Sequence, residues 1–382
     1  MARILVTGAR APVALHLARL LSSAGHTVLM ADSQLCPMAK ASRMHHGFHL
    51  LPPPRFEPEA FEAALRQLIE REAITLVLPS CEEVFYLAQI WAKSPHNAQL
   101  YAPPMALLAE AHDKHAFIGL CERLGLGVPP TQLLTSVKDL QALGPDLQRF
   151  VLKPVWSRFA SQVLIRPKGT ELTGVLPSKA APWVAQSHLE GTEICAYALA
   201  DHGRLRALSL YRGLYRAGKG ASVAFAPLED PTARRFVERF VAGTGWTGQI
   251  SFDLMRLADG RVLPLECNPR ATSGLHFFKD GPGFARALFG QGDVAPDVTA
   301  PQGVRLALWA YGLPQALRRG ALPAYRTALR EVQEVLDWPG DPGPKRAQFA
   351  TLRAIAAKAL RERISLQQAS TRDIEWNGPQ GA

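Results

Sequence analysis

No run of eighteen apolar residues occurs in the 382-residue sequence, so no membrane-spanning helix is expected. Cysteine is sparse and unpatterned. Its five copies (Cys36, Cys81, Cys121, Cys195, Cys267) are odd in number and form no CxxC pair, which argues for reduced cytoplasmic thiols rather than disulfides or zinc. Glycine is missing where a dinucleotide turn needs it: Gly8-Ala9-Arg10-Ala11-Pro12-Val13 keeps only the first glycine of G-x-G-x-x-G. Long basic blocks are also lacking. The net charge of +10 comes from 43 basic and 33 acidic residues spread along the chain, which suits anionic small molecules and gives no reason to expect a nucleic-acid partner. There is no Gly-x-Ser-x-Gly elbow, internal repeat or low-complexity tract. The opening MARILVTGAR passes straight into a strand-and-turn pattern without signal-peptide architecture.

What is present begins with alternation. Arg3–Thr7, Thr27–Ala31 and Thr75–Pro79 read as buried strands, separated by helices to about Ala24 and over about Glu59–Glu72, which predicts a parallel α/β sheet. Asp32 ends the second strand, where it suits either a ribose contact or an ordinary turn. Ser80-Cys81-Glu82-Glu83 follows the third strand, where ligands of open α/β sheets bind. The same tetrad also reads as a helix start, with Ser80 as cap and two acids favouring the helix dipole. Asp113-Lys114 lies in a helix running to Leu124. Phe150–Val155 is a strand interrupted by Lys153, where an unpaired ammonium would be costly. Trp183–Glu193 links two strands through a glycine turn. Pro296–Pro301 reads as a linker before a largely helical remainder, which breaks at Pro339–Pro344.

The segment ISFDLMRLADGRVLPLECNPR, residues 250–270, carries the chemistry. Asp-Gly between two apolar runs predicts a hairpin with a two-residue turn. With Asp259 and Gly260 central, Asp253 lies opposite Glu266, and Ser251 opposite Asn268 on the same face. A three-residue loop would shift the register by one and undo that pairing. Two like charges side by side repel, whereas a divalent cation converts the repulsion into coordination by a hard oxygen set suited to magnesium. An Asp and a Glu on an isolated hairpin are ordinarily solvated, so the hairpin alone settles nothing.

In this order, FVLKPV, QSHLEGTE and DLMRLADGRVLPLECNPR resemble the nucleotide-binding segments of the ATP-grasp superfamily of carboxylate ligases, over about residues 1–295. The resemblance implies an α/β N-terminal parallel sheet, an α+β ATP-grasp module clasping ATP, and a mostly helical C-terminal segment. It divides the chain into a Rossmann-like preATP-grasp domain (1–105), the ATP-grasp domain (106–295) and a helical extension (296–382), the last read as a cap or dimer surface. Lys114 and Lys153 would reach the ATP phosphates. The hinge containing Gln186, Ser187 and Leu189 would read adenine, and Glu193 would take the ribose hydroxyls. Asp253, Glu266 and Asn268 match the ligands of Mg2+, with Mn2+ as an alternative. Arg270, with Lys153, would serve the reacting groups.

The implied reaction joins a small-molecule carboxylate to an amine through an acylphosphate, releasing ADP and phosphate. Substrate contacts are expected from Ser80, Glu82, Glu83, Arg212, Lys219, Ser222, Ser273 and His276. One departure stands out: Trp156–Ser161, over the phosphates, contains no glycine, although Ser157 and Ser161 can still donate. Two other functions stay open, an NAD-dependent oxidoreductase suggested by the opening strand-turn-helix and a catalytically silent ATP-binding regulatory protein.

Overall fold

The structure, a computed structural model, describes residues 1–94, 96–157, 162–217 and 220–378. Its first five strands are β1 Arg3–Thr7, β2 Thr27–Asp32, β3 Gly47–Leu50, β4 Leu76–Leu78 and β5 Gln99–Leu100, which form a parallel sheet in the order β3-β2-β1-β4-β5. Alternate residues of β1 serve opposite layers, as the two-residue strand period requires. Ile4 and Val6 pack with Leu17 and Leu21 of the helix Pro12–Ser23, while Leu5 packs with Phe61 and Leu65 of the helix Pro58–Arg71. Pro12 sits at the helix start, where its missing N–H costs nothing. Gly8 turns the chain out of β1 with φ +73°, and a Cβ there would stand 2.5 Å from Ser80 Oγ.

The second sheet is small: β6 Thr131–Leu134, β7 Phe150–Pro154, β8 Leu164–Ile165 and β9 Trp183–Ser187, in the order β6-β9-β7-β8. The third contains β10 Thr192–Asp201, β11 Arg204–Arg216, β12 Ser222–Pro227, β13 Gly248–Arg256, β14 Val262–Asn268, β15 Gln302–Gly303 and β16 Gln333–Glu334. Its order is β14-β13-β10-β11-β12-β15-β16. One face is closed by the helices Lys114–Arg123 and Pro231–Thr244, through Phe117, Phe236 and Phe240 against Phe252. Among the described residues no helix is long and apolar enough to cross a membrane.

The segment after residue 296 is mostly helical, but it also lends β15 and β16 to the edge of the third sheet. It then returns to the N-terminal sheet. Arg19 and Asp341 form a fully buried ion pair at 2.9 Å, and Ser42 Oγ donates to the same carboxylate at 2.7 Å. At the far end Arg10 Nη1 lies 2.8 Å from Asp373 Oδ1, and the Trp376 ring stacks on Phe85 at 4.5 Å. A charge buried without a partner would be expensive, so these pairs fix where the last helices lie.

The hairpin reaches the expected pairing by an unexpected route. Leu257 N–H donates to Arg261 O at 2.9 Å, so Ala258, Asp259 and Gly260 form a three-residue loop. Gly260 takes the left-handed conformation at φ +84°, as such loops require. Next to the loop Arg256 pairs with Val262 and Leu254 with Pro264, one step off the two-residue register. A β-bulge at Leu265 then absorbs that step, and Asp253 meets Glu266 and Ser251 meets Asn268.

Candidate active site

Four strands set a row of side chains across the open face of the third sheet. Asp253 on β13 pairs with Glu266 on β14 and with Cys195 on β10, which in turn pairs with Tyr211 on β11. One step along, Asn268, Ser251, Tyr197 and Ser209 form the next row. The intervening Ile194, Phe252, Leu254 and Cys267 point into the core. Strand alternation thus holds the polar groups on the face of a 480 Å³ cavity, with Glu193, Cys195, Tyr211, Asp253, Glu266, Asn268 and Arg270 in its lining.

Electrostatics couple these groups. Burial, then Glu266 and Glu193, raises the Asp253 carboxyl well above the usual carboxylate range. Burial pushes Glu266 the same way, but Lys114 and Lys153 outweigh it and hold Glu266 below its ordinary value. One acid of the pair thus favours its proton because the other is ionised. Two facing carboxylates of this kind fit a divalent cation, which would replace the proton. Asn268 Nδ2 stands 3.5 Å from both Asp253 Oδ2 and Glu266 Oε1, while its Oδ1 accepts from Arg270 Nη2 at 3.1 Å. The amide would turn its oxygen inward to act as a ligand. Glu193, Cys195 and Asp253 also bring ligand atoms within 4.8 Å of one another. The Cys195 thiol is pushed far up by burial and by Asp253, so it stays protonated and serves as a donor to that carboxylate.

The two lysines come from other elements. Lys153 on β7 is buried, with Nζ donating to Gln186 Oε1 at 3.1 Å and to Leu265 O at 2.9 Å. The bulged residue of the hairpin thus supplies one of its acceptors. Burial lowers the Lys153 pKa to about 8, opposed by Glu266. Lys114 begins the helix Lys114–Arg123, where Asp113 caps two backbone N–H groups at 2.8 Å. Its Nζ donates to Ser157 O at 3.0 Å and lies 3.8 Å from Glu266 Oε2. Gln186 and Ser187 end β9, and Leu189 lies in the connection to β10. Glu193 is ion-paired with Arg216.

The expected substrate contacts divide. Glu82, Ser222 and Ser273 line the cavity, and Arg270 Nε lies 3.9 Å from Glu82 Oε1. Ser80 and Glu83 point inward instead. Ser80 Oγ donates to Thr7 O at 2.7 Å, so it caps no helix, and Glu83 Oε1 accepts from Thr7 Oγ1 at 2.7 Å and from Ser80 N at 3.1 Å. Their bonds tie β4 to β1, and neither residue is in the cavity lining. Arg212 is exposed on the strand face opposite Tyr211, and it is absent from the lining. His276 is buried with its ring 4.7 Å from that of His16, and burial, then Lys279, holds its pKa down to about 3. Lys219 and Ser161 lie outside the described residues. The cavity lining also contains Cys195, Arg216 and Thr272, which the sequence did not single out. Cys195 was within reach, because it lies two residues past Glu193 on the same strand face.

No family model and no curated protein matches this sequence. Solved structures do. N5-carboxyaminoimidazole synthetase from Staphylococcus aureus superposes with a TM-score of 0.61 at 16% identity, covering 78% of this chain and 80% of that one. L-amino acid ligase from Bacillus licheniformis gives 0.57 at 15% identity, covering 75% of each chain. The biotin carboxylase domain of Hydrogenobacter thermophilus 2-oxoglutarate carboxylase, solved with MgADP and bicarbonate, gives 0.59 at 12% identity over 76% of this chain and 70% of that one. The chain therefore has the ATP-grasp fold, with the five-stranded parallel sheet ahead of the two largely antiparallel sheets. At these identities the likeness establishes the fold, and the activity has to be argued from the site.

Proposed function

We propose that the protein is an ATP-dependent ligase that joins a carboxylate to an amine or related nucleophile through an acylphosphate. The observation that carries this reading is the convergence of Asp253, Glu266, Lys153, Lys114 and Arg270 from separate elements on one site. A carboxylate oxygen attacks the γ-phosphorus of ATP and ADP leaves. The amine then attacks the acyl carbon and phosphate leaves. Such transfer needs positioning and charge neutralisation, not a side-chain nucleophile.

In this reading Lys153 and Lys114 hold the phosphates, and Gln186 keeps the Lys153 ammonium aimed. The backbone of Ser187 to Leu189 meets the base, and Glu193 exchanges Arg216 for the ribose. Mg2+ or Mn2+, held by Asp253, Glu266 and Asn268, would neutralise phosphate charge when bound. Arg270 receives the carboxylate, steadied by Glu82 on one side and Asn268 on the other. Ser222 and Ser273 complete the substrate walls. We place the domain divisions near residues 105 and 295.

The oxidoreductase alternative meets a specific obstacle. Asp32, which would take a ribose, is occupied by Arg10: Nη2 lies 2.5 Å from Oδ1, and the Arg10 N–H donates to Oδ2 at 2.8 Å. The test is ADP release on incubation with ATP, Mg2+ and acid–amine pairs. Release that requires both members of a pair supports the ligase, whereas micromolar NADH binding with no ADP release would revive the oxidoreductase.

A further inference from the structure

The cavity has two unlike ends. One is the carboxylate hairpin with Arg270. The other lies between the loops after β1 and β2 and the C-terminal segment, where Val13, Leu35, Met38, Ile355 and Ile374 line it. The ionised groups at that second end are already paired. Arg10 is held by Asp32 and Asp373, and Glu375 by Arg55 at 3.1 Å. Asp373 also accepts from Ser33 Oγ and Gln34 Nε2 at 2.7 Å, and its carboxyl lies well below the usual range because, although burial opposes it, Arg10 bonds to it. A second charged group on a ligand would have to compete with these pairs, of which Arg10 with Asp32 and Asp373 is largely buried.

We infer that the carboxylate substrate carries an apolar chain, and that the C-terminal segment selects it through Ile355 and Ile374; this rests on the ligase reading above. Arg270 reaches from the hairpin toward the C-terminal segment: its Nε lies 3.9 Å from Glu82 Oε1, and Glu82 Oε2 accepts from the Trp376 N–H at 3.4 Å, so a carboxylate held by Arg270 with its oxygen toward the hairpin extends its chain toward the apolar wall. Ile374 is fixed in that wall by its neighbours. Asp373 is clamped by Arg10, the Glu375 carbonyl accepts from Tyr86 Oη at 2.6 Å, and Trp376 stacks on Phe85. The extension after residue 296 thus acts as part of the substrate pocket. A cavity of 480 Å³ is within the range of small-molecule sites.

The test uses the full chain with MgADP and straight-chain carboxylates from acetate to octanoate, titrated by calorimetry. Affinity should tighten about fourfold per added methylene until the wall is reached, the value expected for burying one CH2. Ile355→Asn and Ile374→Ser should flatten that rise, and Ile355→Trp, which fills the cavity, should end it at a shorter chain. Thermal melts confirm that each variant is folded. Equal affinity from acetate to octanoate would overturn the inference, as would absence of carboxylate binding while MgADP binds, or the wild-type slope in folded variants. The wild-type series decides the matter even if a variant fails to fold. Failure of MgADP itself to bind would strike the ligase reading, and the inference with it.

Discussion

Lys153→Met separates the cost of a functional charge from its use. The lysine is 5% exposed, and burial lowers its pKa from 10.5 to about 8. At about 1.4 kcal/mol per pH unit, holding it charged at pH 7 costs the fold about 3 kcal/mol. Methionine removes that cost but leaves Gln186 Oε1 and Leu265 O without their donor, a loss of about 1–3 kcal/mol each. The two effects largely offset, so stability at pH 7 should change by less than about 3 kcal/mol. ATP affinity should fall about 10- to 100-fold, because a charge-assisted bond to phosphate disappears. The pH dependence has a definite sign. Between pH 8 and 10.5 the unfolded chain still holds this proton while the folded chain has released it, so stability rises with pH. Urea unfolding at several pH values should show wild type gaining about 3 kcal/mol over Lys153→Met across that window. Unchanged ATP affinity in calorimetry, together with a difference that does not move with pH, would refute the reasoning.

Asp253→Asn should melt higher than wild type at pH 7 without divalent cations, because it removes the cost of burying the Asp253 carboxylate beside Glu266 or of protonating it, yet lose turnover; a lower melting temperature would contradict the paired-acid account. Glu266→Gln should weaken Mn2+ binding, read by titration with a paramagnetic probe, while the circular dichroism stays native. Arg270→Ala should abolish ligation with ATP binding retained, since the loss falls on the reacting groups; wild-type turnover would displace the reacting centre from this residue. Asp373→Asn should lower the melting temperature by breaking the buried pair with Arg10, as differential scanning calorimetry would show.

The parallel sheet was legible because β1, β2 and β4 are short apolar runs separated by amphipathic helices. The Asp253–Glu266 pairing was legible for a less secure reason. The loop holds three residues instead of two, and the bulge at Leu265 returns the register, a compensation that leaves no mark in hydrophobic periodicity. Lys153 stood out because an ammonium inside an apolar strand demands partners. Ser80, Glu83 and His276 were misplaced as ligand contacts since polarity near a strand end says nothing of direction, and these side chains turn inward to β1 and to His16. The docking of the C-terminal segment onto the N-terminal sheet was not legible. Arg10 and Asp373 are far apart along the chain, and no local pattern reports a contact of that range.

In the proposed reaction this site moves the γ-phosphoryl of ATP onto a carboxylate. Hydroxylamine tests it most directly, because it captures acylphosphates as hydroxamates whatever the natural amine is. With ATP, Mg2+, hydroxylamine and a panel of carboxylates, the account predicts hydroxamate and ADP in equal amounts for at least one acid, both lost in Glu266→Gln. ADP release without hydroxamate across the panel, or hydroxamate formation that survives Glu266→Gln unchanged, would contradict it.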